Sequence, residues 1–251
     1  MARALPVLVS CTVLAVACGG APTRPTDSGR AARLSRTRFV AFGDSLTAGE
    51  VTVPIGATGS VQAPGLTPLA LISKQVVVPA ASYPAQLLTM LDTRYASQAS
   101  AISVANAGLG GESIFRGVQR FEPSLAQNFA DAVIIMHGLN NLAVDGVEVP
   151  TILMRDMVRI AKERNVSVFV ASMVPTIAGR QRSQNAALLE AYNVKLKEMS
   201  AEEGVAFVDL YTTLLPDAQN VIGVDGLHPT EAGYRRIAEL FFAAIASTLE
   251  Q

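Results

Sequence analysis

Two short segments, far apart in the chain, carry the residue types of acyl-transfer chemistry. The first is Gly43-Asp44-Ser45-Leu46-Thr47-Ala48-Gly49, directly after the apolar run Phe39–Phe42. A serine at the mouth of a strand, flanked by glycines, can expose its hydroxyl to a cleft. The second is Asp225-Gly226-Leu227-His228-Pro229, which puts an acid and an imidazole on one short loop. A serine hydroxyl is a poor nucleophile until a base takes its proton, and that base needs a partner to hold its tautomer. With Asp225 three positions before His228, the carboxylate can reach Nδ1 while Nε2 faces outward. Ser45 is therefore the expected nucleophile, His228 the base and Asp225 the orienting acid.

Acyl transfer also needs donors for the oxyanion that develops on the carbonyl. Asn106-Ala107-Gly108-Leu109-Gly110-Gly111-Glu112-Ser113 is a glycine-dense strand exit that can aim a backbone N–H into a cleft. Gly138-Leu139-Asn140-Asn141 ends a further apolar run with a side-chain amide. Read alone, the first is only a tight turn and Asn140 only a helix cap. In the order serine, glycine turn, Gly-x-Asn and Asp-x-x-His they make one proposal. His137 sits at a strand end, where a histidine is more often hydrogen-bonded scaffold, and is not assigned to catalysis.

The elements that must position these residues alternate. Apolar runs at Phe39–Phe42, Ala101–Ala105, Ala132–Met136, Val166–Ala171 and Val205–Val208 do not alternate in polarity and read as strands buried on both faces. Between or after them, Ser82–Tyr95, Thr151–Arg164, Asn185–Glu203 and Thr230–Leu249 have helical spacing; in the last, Tyr234, Ile237, Ala238, Phe241 and Ile245 share a stripe. Strands alternating with helices predict a parallel sheet covered on both faces. Ser45, Asn106 and Asn140 each follow a strand, so their loops fall on the carboxyl edge, where ligands bind in such sheets.

Val51–Asp92 departs from this economy. It is apolar, with Lys74 as its only base, and is broken by Pro54, Gly56, Gly59, Pro64, Gly65, Pro68 and Pro79. Two readings stand: an apolar flap or pocket wall beside Ser45, or a surface insertion with a short hairpin around Leu71–Val78.

Composition bounds the rest. The chain has 251 residues, is 50% hydrophobic and carries a formal net charge of −1 without a long basic run, which argues against a nucleic-acid partner. Its two cysteines lie within the first 18 residues, so they and the two histidines assemble no zinc framework. Residues 1–17 read as a signal peptide: Leu5–Ala17 is apolar but short of the roughly 20 residues of a membrane span. Leu14-Ala15-Val16-Ala17-Cys18 resembles a bacterial lipobox, with lipid on Cys18; an ordinary secretory signal is the alternative. Residues 18–36, small, polar and proline-broken after Cys18, form a tether, and 37–251 the folded domain, with 51–80 as its insertion. Gly19 in place of a retention-type aspartate favours an outer membrane. Nothing in the chain specifies an oligomeric state.

Taken together, the four blocks resemble the SGNH/GDSL family of serine esterases and lipases: Phe42–Gly49, Asn106–Gly111, Gly138–Asn140 and Asp225–His228, in that order. The resemblance implies a three-layer α/β/α sandwich, flavodoxin-like, with a parallel sheet of about five strands. It implies Ser45 as nucleophile, His228 as general base and acid, Asp225 as its orienting acid, and an oxyanion hole from the backbone N–H groups of Ser45 and Gly111 and the side chain of Asn140. It implies no metal or organic cofactor and an ester as the small-molecule substrate. One departure matters: Asn141 stands where family members often carry an aspartate. The expectation is an exported, lipid-anchored esterase acting on acyl or lipid-like esters. Its rivals are a carbohydrate or cell-wall O-acetyl esterase and a non-catalytic anchored binding protein on the same fold.

Overall fold

The computed structural model describes Met1, residues 31–54 and residues 73–251. Cys18, the expected signal and most of the tether lie outside the described residues, as do residues 55–72 of the insertion. In chain order the elements are β1 Arg38–Gly43, α1 Ser45–Ala48, β2 Glu50–Pro54, β3 Ser73–Val77, α2 Tyr83–Arg94, β4 Ser103–Gly108, α3 Ile114–Gln127, β5 Ala132–Met136, α4 Leu142–Asp145, α5 Glu148–Glu163, β6 Ser167–Ala171, α6 Ala186–Glu203, β7 Ala206–Val208, α7 Leu210–Leu214, α8 Ala218–Val221 and α9 Glu231–Leu249.

Five strands form one parallel sheet in the order β4-β1-β5-β6-β7. Numbered by appearance within the sheet this is 2-1-3-4-5, the flavodoxin-like order. The chain leaves β1 toward one edge, returns past it to β5, and so opens a crevice at the carboxyl end of β1, where Ser45 begins α1. β1 and β5 are buried almost throughout, which is why their sequences show no alternation. α2 packs on α9, and α3, α5 and α6 pack in succession, giving the two helical layers. All five expected strands and all four expected helices are present, with ends shifted by up to three residues. α3 was not foreseen, because Gly117 and Pro123 interrupt its pattern.

The folded body starts earlier than residue 37. Leu34 is buried and bridges Glu250, Ser35 N–H donates to Leu249 O at 2.9 Å, and Gln251 N–H donates to Arg33 O at 2.8 Å. The end of the expected tether is therefore part of a unit running from Ala31 to Gln251, because burying Leu34 ties it to the C-terminus. Among the described residues, no helix is long and apolar enough to cross a membrane.

The insertion contributes a hairpin. β2 and β3 pair antiparallel from Glu50 with Val77 to Pro54 with Ser73. Its valines Val53, Val76 and Val77 are exposed, whereas Gln75 points to His228 and Ser73 bonds Gln181 Oε1 at 3.0 Å across the carboxyl edge. In the described part, then, the side of the insertion that meets the site is polar, and the hairpin reading describes it better than the apolar wall.

Candidate active site

Ser45 is the first residue of α1, whose N-cap Asp44 accepts from Leu46 N–H at 3.1 Å. The cap ends β1 abruptly and turns the serine out of the strand line. Ser45 Oγ lies 2.9 Å from His228 Nε2, and His228 Nδ1 lies 2.6 Å from Asp225 Oδ2. The carboxylate holds the proton on Nδ1, so Nε2 is the acceptor facing the serine. Asp225 Oδ1 in turn accepts from the backbone N–H of Leu227 and His228, both at 3.0 Å. Burial pushes the Asp225 carboxyl up, but hydrogen bonds from His228 and from these amides outweigh it and hold the group below the ordinary range. The loop from Asp225 to His228 is thus folded around its own acid. The expected Ser45, His228 and Asp225 meet in one hydrogen-bonded chain.

The expected oxyanion donors each lie at or just after a strand's carboxyl end. Ser45 opens its helix, where backbone N–H groups have no intrahelical acceptor. Gly111 lies in the turn after β4 with φ +67°. Asn140 follows β5, and its Nδ2 donates one hydrogen to Glu112 O at 3.0 Å, leaving the second N–H of that amide for another acceptor. Gly138, with φ +103°, swings the chain out of β5; a Cβ there would lie 2.2 Å from Tyr192 Oη. Only glycine fits that turn. The departure at Asn141 has a structural reading. Its Oδ1 accepts from Ile114 N–H at 2.8 Å, capping α3, and its Nδ2 donates to Asp145 Oδ2 at 2.7 Å. The carboxylate absent from position 141 sits one turn later.

Four further residues shape the site, and sequence reasoning did not single them out. Gln75 Nε2 stands 3.4 and 3.3 Å from Nδ1 and Nε2 of His228. Near-equal distances to both ring nitrogens put the amide over the ring face, since an in-plane approach would collide with Cε1. Glu50 Oε2 is 3.8 Å from His228 Nε2. Its other oxygen fills the space a Cβ on Gly110 would need, 2.0 Å away. His137 is fully buried beside Glu112, which also binds Arg120. The sequence signal for Glu50 and Glu112 was adjacency alone: one follows the serine block, the other follows Gly111. Nothing local marked Gln75, which arrives by non-local pairing, or Arg120, which reads as an ordinary helix-surface cation.

A parallel α/β sheet with a hydrogen-bonded Ser–His–Asp chain at its carboxyl edge has the arrangement of the serine-hydrolase class. Residues 41–236 match the GDSL-like Lipase/Acylhydrolase family, and the chain belongs to that family of ester-hydrolysing enzymes. Solved structures agree in fold. The lipase/acylhydrolase from Enterococcus faecalis superposes with TM-score 0.64 at 21% identity, covering 85% of this chain and 97% of that one. An acetylxylan esterase from Geobacillus stearothermophilus gives 0.62 at 20% identity, with 84% and 94% covered. Another acetyl xylan esterase, AlAXEase, gives 0.61 at 16%, with 82% and 98% covered. No curated protein matches the chain.

Proposed function

We propose that the protein hydrolyses carboxylic esters through an acyl-enzyme on Ser45. The observation that carries this is the continuous chain from Ser45 Oγ to His228 Nε2 at 2.9 Å and from His228 Nδ1 to Asp225 at 2.6 Å. In the proposed mechanism Ser45 Oγ attacks the carbonyl carbon as its proton passes to Nε2. Asp225 keeps the ring oriented and stabilises the imidazolium. The N–H groups of Ser45 and Gly111 and the free N–H of Asn140 receive the oxyanion. As the tetrahedral species collapses, the ester C–O bond breaks and the alcohol leaves with the proton from Nε2. Water then repeats the sequence on the acyl-enzyme, releasing the acid and restoring Ser45.

For the substrate, the reading is a short acyl group on a polar, hydroxyl-rich alcohol. Supporting it, Glu50 stands 3.8 Å from His228 Nε2, the atom from which the leaving alcohol takes its proton, and Gln75 covers the face of the same ring. Carboxylate and amide groups there suit hydroxyls better than an alkyl tail. That two fold relatives are acetylxylan esterases accords with this choice. Leu109 and Phe115, exposed on the segment around Gly111, favour a second reading, longer acyl esters. Hydrolysis of p-nitrophenyl esters from acetate to palmitate, with Ser45→Ala beside the parent, separates them. The expected result is a maximum at acetate, abolished by Ser45→Ala; a maximum at medium or long acyl chains would transfer the proposal to lipid-like esters. Residual turnover in Ser45→Ala equal to the parent's would refute the mechanism itself.

We further propose export and anchoring through lipid on Cys18, from the lipobox-like Leu14–Cys18. Cys18→Ser should release the protein from the membrane fraction into the soluble fraction of the host cell; unchanged membrane association would overturn the anchor.

A further inference from the structure

The reaction proposed above gives the Glu112 side chain no part, yet that carboxylate is fully buried and held from two sides. Arg120 reaches it with Nε at 2.7 and 2.8 Å and with Nη2 at 2.5 Å. His137 Nε2 approaches from the other side at 3.1 Å. His137 accepts Gly138 N–H on Nδ1 at 2.7 Å, so its proton is on Nε2 and is donated to Glu112. The same guanidinium donates to Gly43 O at 3.0 Å and lies 4.1 Å over the Phe42 ring. The space for His137 is made by Gly117 of α3, where a Cβ would stand 2.5 Å from Nε2. Three strand exits are therefore tied to one buried anion: Gly43 after β1, Glu112 after β4, and His137–Gly138 after β5.

Each exit leads, within two residues of Gly43, Glu112 or Gly138, to one of the three expected oxyanion donors, Ser45, Gly111 and Asn140. The link to them is specific. Glu112 uses its own backbone carbonyl to accept one hydrogen of the Asn140 amide at 3.0 Å. An amide with one hydrogen fixed has its other N–H aimed, and a donor contributes to an oxyanion only when it is already aimed. Taking a carboxylate and a guanidinium out of water is costly, and a well-packed apolar pair would stabilise a fold as well. Specific placement is what the ion pair adds here.

We propose that Glu112, clamped by Arg120 and His137, is a positioning residue that sets the Asn140 amide for the oxyanion; this rests on the ester-hydrolysis reading above. Glu112 touches no substrate in this role and acts only through its neighbour.

The test is a double-mutant cycle on p-nitrophenyl acetate with the full chain. Glu112→Gln keeps the shape and removes the charge. Its kcat should fall by about 10- to 100-fold with KM within about threefold, because a misdirected donor is lost mainly in the transition state. Affinity for a boronic acid that forms the tetrahedral adduct should weaken by the same factor as kcat. In an Asn140→Ala background the same substitution should cost less than about threefold, since the group it positions is gone. Should Glu112→Gln not accumulate folded, Glu112→Gln with Arg120→Gln removes both charges of the pair and is read the same way. An equal loss of kcat with and without Asn140, a loss carried by KM, or full activity in the folded variant would overturn the proposal. Full turnover in Ser45→Ala would instead remove the reading beneath it, and the role of Glu112 with it.

Discussion

The protein has two histidines, and each is buried against a carboxylate. They are built to opposite ends. His228 carries its proton on Nδ1, toward Asp225, and turns Nε2 to Ser45. His137 carries its proton on Nε2, toward Glu112, and spends Nδ1 on the Gly138 amide. The first ring has a nitrogen left for a proton in transit; the second has none. Their acids differ in the same sense. Asp225 is satisfied by its own loop, whose two amides and imidazole move with it. Glu112 is satisfied by α3 and β5, so it joins parts of the fold that would otherwise be independent. A histidine–carboxylate pair is thus catalytic or architectural according to what remains free on the far nitrogen.

Exchanging the side chains one at a time tests this contrast. His228→Gln should lower kcat/KM for p-nitrophenyl acetate by at least about 10⁴-fold while the melting temperature stays close to the parent's; a variant retaining a tenth of the activity would place the base elsewhere. His137→Gln should behave in reverse, retaining measurable turnover but losing about 1.5–3 kcal/mol of stability in urea unfolding, as expected when a buried carboxylate loses one of its hydrogen-bond donors. Equal damage to activity from both substitutions would erase the distinction.

Acid titration sharpens it further. Burial raises the Glu112 carboxyl, but His137 and Arg120 more than reverse this and hold it down to about 2, from an ordinary 4.5. A group lowered on folding stabilises the fold above its unfolded value, and that contribution disappears as pH falls through the folded value. Glu112 should therefore supply up to about 3 kcal/mol that is complete above pH 4.5 and lost toward pH 2. Asp44 works in the opposite sense, because burial first of all raises its carboxyl. Comparing parent and Glu112→Gln across that window isolates the one group; identical slopes would show that Glu112 gains nothing from its partners.

The smallest expected effect is at the hairpin. Gln75→Leu replaces the amide over the His228 ring with an alkyl group, and should shift the ratio of rates on an alkyl acetate and a polyol acetate upward by about 10-fold or less, the worth of a methylene or two in a pocket. An unchanged ratio would mean that the hairpin does not sense the substrate.

What was legible beforehand follows from the range of each interaction. The sheet strands announced themselves because double-sided burial leaves uninterrupted apolar runs such as Ala132–Met136. Ser45, Asp225 and His228 were legible because their chemistry is compressed into two short segments. α3 was hidden because Gly117, needed for the His137 ring, and Pro123 both count against a helix. The pairing of Glu50–Pro54 with Ser73–Val77 spans a long insertion, and no local pattern sets its register. Glu112 and Arg120, eight positions apart, look like two ordinary charges until the turn before α3 and α3 itself bring the two together beside His137.

The stitching of Arg33 and Leu34 to Glu250 and Gln251 makes the body a loaded bracket with a single mounting point. Both ends of the Ala31–Gln251 unit lie near the amino-terminal end of β1, while Ser45 stands past its far end, about 20 Å away along the sheet at the usual rise per residue. A body held at residue 31 or at Gln251 therefore presents its cleft on the opposite pole, clear of the mount.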